Sequence, residues 1–213
     1  MLASSFYVKL LLYRMKRKMA GMKMLFERDN EWIEWIKVFF IALIITAFIR
    51  TFLFAPIIVD GFSMFPTLHD QDKMLVNKIN YHFSEPERFD IIVFHASDQK
   101  DFIKRIIGLP GEHVAVRDHT LYIDGIEVQE PFLNYKDEKG LIDEPTFYEN
   151  FKLEELPGGY EKIPEDEYLV LGDNRNNSTD SRIIGLISKT QIVGKTNVIF
   201  WPIDRWQTME SYD

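Results

Sequence analysis

The 213-residue chain contains no cysteine. Disulfide frameworks, thiolate nucleophiles and cysteine-ligated metal sites are therefore excluded. The absence does not choose a compartment, because exported and intracellular proteins can both lack cysteine. Histidine is scarce too, with five residues: His69, His82, His95, His113 and His119. None falls in a His-Glu-x-x-His run or a comparable spacing, so no metal and no other cofactor is expected. Residues 1–23 lack acid altogether and carry six basic residues, Lys9, Arg14, Lys16, Arg17, Lys18 and Lys23. The whole chain totals −8, so the +6 of this arm leaves −14 on residues 24–213. A body that acidic argues against nucleic acid as a partner. With 46% hydrophobic and 27% charged residues, the chain has the composition of a globular protein, of a length for one domain plus an appendage.

Long apolar runs are also rare, and the clearest is residues 38–49, VFFIALIITAFI. Twelve residues alone are too few to span a bilayer, which takes about 20. The flanks extend the run: Trp32, Ile33, Trp35 and Ile36 precede it, and TFLFAPIIV follows Arg50. Lys37 and Arg50 can snorkel to headgroups, and the two tryptophans suit an interface. The expectation is a single membrane span over residues 32–55. No small-x-small cleavage site follows the apolar core, so an uncleaved anchor is expected rather than a removed signal peptide. The positive-inside rule then places the basic arm, residues 1–31, in the cytoplasm and residues 56–213 outside.

After Pro56 the pattern becomes short runs rich in Ile, Val, Phe and Tyr, separated by Gly, Pro, Asn and Asp. Strands are predicted at residues 57–60, 73–79, 90–94, 102–107, 113–117, 120–123, 168–171 and 192–201. Asp124-Gly125 has the composition of a tight hairpin turn. A weak helical segment is predicted near residues 188–191. Residues 125–167 are acidic and poor in clean strands, and read as an insertion or small lobe. The body is predicted to be mainly β.

Three segments carry candidate chemistry. In Gly61-Phe62-Ser63-Met64-Phe65-Pro66-Thr67-Leu68, an extended run would put Ile57, Val59, Gly61 and Ser63 on one face. Ser63 then fits either a nucleophile or a turn serine bonding its own backbone. In Phe102-Ile103-Lys104-Arg105-Ile106-Ile107-Gly108, Lys104 lies inside an apolar β run. Burial there would lower its pKa toward that of a general base, whereas an edge position would leave it a snorkelling lysine. Gly172 to Arg182 is a dense run of Asp, Asn, Ser and Arg after an apolar strand. It suits a hydrogen-bonded loop supporting a site or an exposed polar loop, and lacks the spacing of an EF-hand.

Taken together and in order, these segments resemble the bacterial type I signal peptidases, membrane-anchored serine peptidases. Ser63-Met64-x-Pro66-Thr67-Leu68 looks like the nucleophile box, and Lys104 through Glu112 looks like the lysine box. Gly172-Asp173-Asn174-Arg175 through Ser178, Asp180, Ser181 and Arg182 looks like the last box. Asp90-Ile91-Ile92-Val93-Phe94 is similar to the strand between the first two. The resemblance covers roughly residues 36–204.

The resemblance implies a β-rich catalytic domain of the signal-peptidase and LexA-like kind behind one transmembrane helix. It implies removal of signal peptides from exported precursors after Ala-x-Ala-type sites at the bacterial plasma membrane, near the secretion channel. Ser63 would be the nucleophile and Lys104 its base. Ser178 would orient Lys104 by a hydrogen bond, Asp180 and Arg182 would form a supporting ion pair, and Asp173 and Arg175 would hold the loop. Ile57, Val59, Met64, Leu68 and Ile103 would wall two shallow substrate pockets. Those five apolar residues would serve equally as core. Some members carry a hydroxyl residue two positions before the nucleophile as an oxyanion donor. This chain has Gly61 there.

Other readings have less in the sequence to carry them. A Ser-His-Asp triad would need one of the five histidines, with His95 at a strand end the best placed, but no Gly-x-Ser-x-Gly elbow surrounds Ser63. A membrane-tethered β-domain that binds peptides without cutting them would have no need of both Ser63 and Lys104. A self-cleaving repressor would need a DNA-binding module where the apolar segment lies.

Overall fold

The computed structural model describes residues 14–17, 31–97, 99–133 and 149–209. Most of the basic arm and the middle of the acidic 125–167 segment lie outside the described residues. Two compact units divide the chain at Arg50 and Thr51. In the first, a helix begins that runs Glu31–Leu53 (α1), 23 residues with none of its apolar stretch buried. At 1.5 Å per residue it is about 34 Å long, enough for the roughly 30 Å hydrocarbon core of a bilayer. It is the one helix among the described residues with that length and apolarity. Its last turn, Ile49–Leu53, widens to π geometry, so the helix ends two residues short of the predicted span and a strand begins at Phe54.

The second unit is mainly β, as expected. Its strands are β1 (Phe54–Ile58), β2 (Lys73–Asn77), β3 (Ile91–Ser97), β4 (Lys100–Gly108), β5 (Val114–Arg117), β6 (Thr120–Ile123), β7 (Ile126–Val128), β8 (Phe151–Lys152), β9 (Glu167–Leu171), β10 (Ile187–Ser188), β11 (Ile192–Trp201) and β12 (Gln207–Thr208). Short helices Asn80–Phe83 (α2) and Ser181–Ile184 (α3) interrupt them. The larger sheet is ordered β1-β2-β11-β3-β4-β9-β10, with β12 on β11, and the smaller is β7-β6-β5-β8. All the pairings are antiparallel. The weak helical segment near residue 188 is a single 3-10 turn, Lys189–Gln191.

Local chemistry accounts for the pieces. Asp124 and Gly125 both have positive φ, 49° and 82°, the backbone a two-residue type I′ hairpin requires. Asp118-His119, at 47° and 64°, makes a second such turn between β5 and β6. The continuous apolar run Ile91-Ile92-Val93-Phe94 is buried on both faces of β3: Ile91 packs with Met64 and Leu68, while Ile92 and Phe94 pack with Ile106 and Val170. A third core lies where Ile107, Leu169 and Leu171 of the large sheet meet Val114, Val116, Leu121 and Ile123 of the small one. Within the 125–167 segment, Ile126–Val128 and Phe151–Lys152 supply β7 and β8, which pair with β6 and β5.

Candidate active site

Beyond β1 the chain turns sharply instead of continuing as a strand. Gly61 has φ +92°, a conformation glycine adopts without strain, and its N–H donates to Asp70 Oδ1 at 2.9 Å. Tight turns follow, with Phe65 N–H donating to Phe62 O and Leu68 N–H to Met64 O. Met64 and Leu68 are buried with Val59, Met74, Ile91 and Ile199, so the turn is pinned to the core beneath it. The expectation that Ser63 follows Ile57, Val59 and Gly61 on one extended face is therefore corrected. Ser63 sits in a turn whose Met64 and Leu68 side chains point into the core while Phe62 is exposed.

Lys104 reaches this turn from β4. Successive strand residues face opposite ways, so Lys104 faces Ser63 while Arg105 faces the loop after β9. The Lys104 ammonium donates to Ser63 Oγ at 2.7 Å and to Ile103 O at 2.8 Å, and lies 5.1 Å from the Phe102 ring centre. The residue is 3% exposed. Burial pulls its pKa from 10.5 to about 8; Asp180 and Asp173 oppose the shift, and Lys100 adds to it.

The loop from Gly172 is held by charge. Asp173 forms a fully buried bidentate pair with Arg105, at 2.9 and 2.6 Å, and also accepts from Thr67 Oγ1 at 2.5 Å. Arg175 pairs with Glu130 at 2.5 and 3.1 Å and donates through Nε to Gly172 O at 3.1 Å. Asp180 accepts two bonds from Arg182, both 2.8 Å, and one from Gly172 N–H at 3.0 Å. Burial alone would raise the Asp180 carboxyl, but these partners hold it below the ordinary carboxylate range.

Ser178 differs from expectation. Its Oγ is buried, close enough to Asp180 to help hold that carboxyl low, yet it makes no hydrogen bond. It packs closely against Gly172, where an added Cβ would lie 2.2 Å from Ser178 Oγ and 2.4 Å from Ser63 O. The ammonium of Lys104 is satisfied by Ser63 and Ile103 instead.

A groove of ≈ 570 Å³ opens over the pair, walled by Ile57, Val59 and Met64 on one side and by Phe102, Ile103 and Lys104 on the other. Of the five predicted pocket residues, Ile57, Val59, Met64 and Ile103 line it. Leu68 does not; it is 0% exposed within the core. β9 pairs with β4 only from Arg105 onward, whereas residues 100–105 pair with β3, leaving the groove-side edge of residues 101–104 without a strand partner among the described residues. His95 does not itself line the groove; it is exposed and paired at 2.6 Å across β3 and β4 with Asp101, which does. Among the described residues no cluster of acidic or histidine side chains could hold a metal ion.

Sequence reading missed Glu130, Thr67 and Asp70. Glu130 is one acid in an acidic stretch and carries no local signal. Thr67 and Asp70 flank Ser63 and could have been suspected as turn supports.

Comparison with known proteins adds an independent observation. The model of the family described as "Signal peptidase, peptidase S26" matches residues 32–201. A Signal peptidase I of Bacillus amyloliquefaciens is 41% identical over 173 residues, covering 81% of this chain and 89% of that protein. A Signal peptidase IB of Staphylococcus aureus is 40% identical over 183 residues, covering 84% and 94%. A crystal structure of a signal peptidase I from Enterococcus faecalis V583 is 40% identical, with TM-score 0.45, over 53% of this chain and 97% of that one.

Proposed function

The chain belongs to the signal peptidase family, peptidase S26, and from that premise we propose that it removes signal peptides from exported precursors using Ser63 and Lys104. It is a serine peptidase; the pair, the cleavage site and the topology are the proposal. The observation that carries it is the 2.7 Å bond between Lys104 Nζ and Ser63 Oγ on the wall of the groove.

An extended precursor end enters the groove and pairs with the open edge of β4, presenting alternate side chains to the wall. Ile57, Val59, Met64 and Ile103, which line the groove, are proposed to restrict it to small side chains, giving an Ala-x-Ala preference. Deprotonated Lys104 takes the Ser63 proton as Oγ attacks the scissile carbonyl. The Ser63 N–H, which makes no hydrogen bond among the described residues, is aimed to serve as an oxyanion donor. Lys104 then gives its proton to the leaving amine, and the mature protein departs. The signal peptide stays as an ester on Ser63 until Lys104 draws a proton from water, whose oxygen attacks that ester and restores the serine. A base with a pKa near 8 is competent for both transfers close to neutral pH.

In this reading α1 spans the bacterial plasma membrane, the basic arm lies in the cytoplasm and the β unit works outside, where precursors emerge. The test is cleavage of an Ala-x-Ala precursor in detergent micelles by wild type, Ser63→Ala and Lys104→Ala. Cleavage by wild type alone supports the proposal. Substantial activity in Lys104→Ala would move the base elsewhere, and binding without cleavage by all three proteins would favour a peptide-binding module.

A further inference from the structure

The two arginines that hold the catalytic loop are themselves held by one short segment outside the recognised motifs. Residues 130–133 follow β7 and include the 3-10 turn Pro131–Leu133. The Glu130 carboxylate takes both Arg175 Nη atoms in a pair with side chains 7% and 0% exposed. Two residues on, the Phe132 ring lies under the Arg105 guanidinium, 3.9 Å from ring centre to Cζ. Each arginine in turn grips a different point of the loop. Arg175 Nε donates to Gly172 O, and Arg105 makes the bidentate pair with Asp173.

Gly172 is the place where this grip meets the reacting serine. Its Cα is so close to Ser63 O and Ser178 Oγ that a methyl group would collide with both. Asn174, two residues on, donates its N–H to Ser63 O and its amide side chain to Phe62 O. Displacing Gly172 or Asp173 therefore displaces the backbone of Ser63 relative to Lys104. We propose that Glu130 and Phe132 are positioning residues of the peptidase site: a strut from the small sheet that, through Arg175 and Arg105, sets the distance between Ser63 and Lys104. The inference rests on the peptidase reading above. It gives the small sheet a part in the reaction, although none of its residues lines the groove.

The experiment uses the full chain in detergent micelles, with kcat and KM measured on the precursor and folding followed by urea denaturation. Glu130→Gln removes the carboxylate that takes both Arg175 Nη atoms, so both stability and kcat should fall. The kcat loss should be about 10- to 100-fold, with KM within about twofold. Glu130→Asp, which keeps the charge, should recover part of it. Glu130→Met combined with Arg175→Met replaces the whole buried ion pair by apolar side chains and should restore stability toward wild type. Its kcat should stay low, because Gly172 O has still lost its donor. Phe132→Leu keeps an apolar contact but loses the aromatic face, and kcat should drop roughly 3- to 10-fold.

If kcat recovers together with stability in the double methionine variant, Glu130 is merely structural and its half of the strut is overturned. An unchanged kcat in Phe132→Leu overturns the Arg105 half. A wild-type chain that cleaves no precursor overturns the peptidase reading and this one with it. Wild-type cleavage that depends on Ser63, beside a fully active double variant, overturns the strut alone.

Discussion

Lys104 has lost nearly all contact with water, and the consequences are measurable in two ways. In the proposed reaction the neutral form of Lys104 is the base, so kcat/KM should rise with pH along a limb centred near 8 in a pH–rate profile. Lys104→Arg should be as inactive as Lys104→Ala, since a guanidinium stays protonated throughout that range. Ser63→Ala should lose at least about 10⁴-fold in kcat. The same burial carries a cost in stability. The folded pKa, about 8, lies below the unfolded 10.5, so the unfolded chain binds more protons between those values. Stability at Lys104 is therefore lowest below pH 8 and rises as pH climbs from 8 toward 10.5. The full difference is about 3 kcal/mol. Lys104→Met should accordingly raise the urea midpoint at pH 7 while abolishing activity, and a lower midpoint would contradict this account.

At the scale of elements, the site is where a turn, a strand and a loop are pressed together with no slack. Gly172→Ala places a methyl 2.4 Å from a backbone oxygen, which cannot swing aside as a flexible side chain would. The expected outcome is a loss of about 1–3 kcal/mol of stability by urea denaturation, with kcat reduced beyond what the folded fraction explains. The Asp173–Arg105 pair joins the loop to β4 in a fully buried setting. Asp173→Ala leaves Arg105 charged and unpaired there, and should cost about 3–5 kcal/mol, far more than removing an exposed pair such as His95–Asp101.

At the scale of the whole molecule, all three apolar cores and both sheets lie within residues 51–213. We therefore expect a chain starting at Thr51 to fold without α1 and to cleave a soluble peptide substrate in the proposed reaction. A chain starting at Lys73 should not fold, because β1 and the Ser63 turn complete the core around Met74 and Ile199. Near-ultraviolet circular dichroism of the two truncations distinguishes these outcomes. With membrane-embedded precursors the Thr51 chain should be slower than the full protein, since tethering to the same surface raises effective concentration.

Sequence alone determined the broad plan. Hydrophobic period and turn residues were enough for the mainly β body, for Thr120–Ile123 and Ile192–Trp201 as strands, for the Asp124-Gly125 hairpin and for one long apolar helix. These depend on local forces: side-chain alternation, positive φ at turns and the length of an apolar run. Three ordered motifs were enough for the family. Tertiary structure decided what depends on residues distant in the chain. The apolar run around Lys104 left it open between a buried base and a snorkelling lysine, and only the fold, which leaves it 3% exposed against the Ser63 turn, decides for burial. Leu68 leaves the groove for the core because the turn at Gly61 rotates it inward. Ser178 lacks the expected bond to Lys104, whose ammonium is taken by Ser63 Oγ and Ile103 O instead. Glu130 had no signal at all, for its meaning lies in Arg175, 45 positions along the chain and adjacent only after folding.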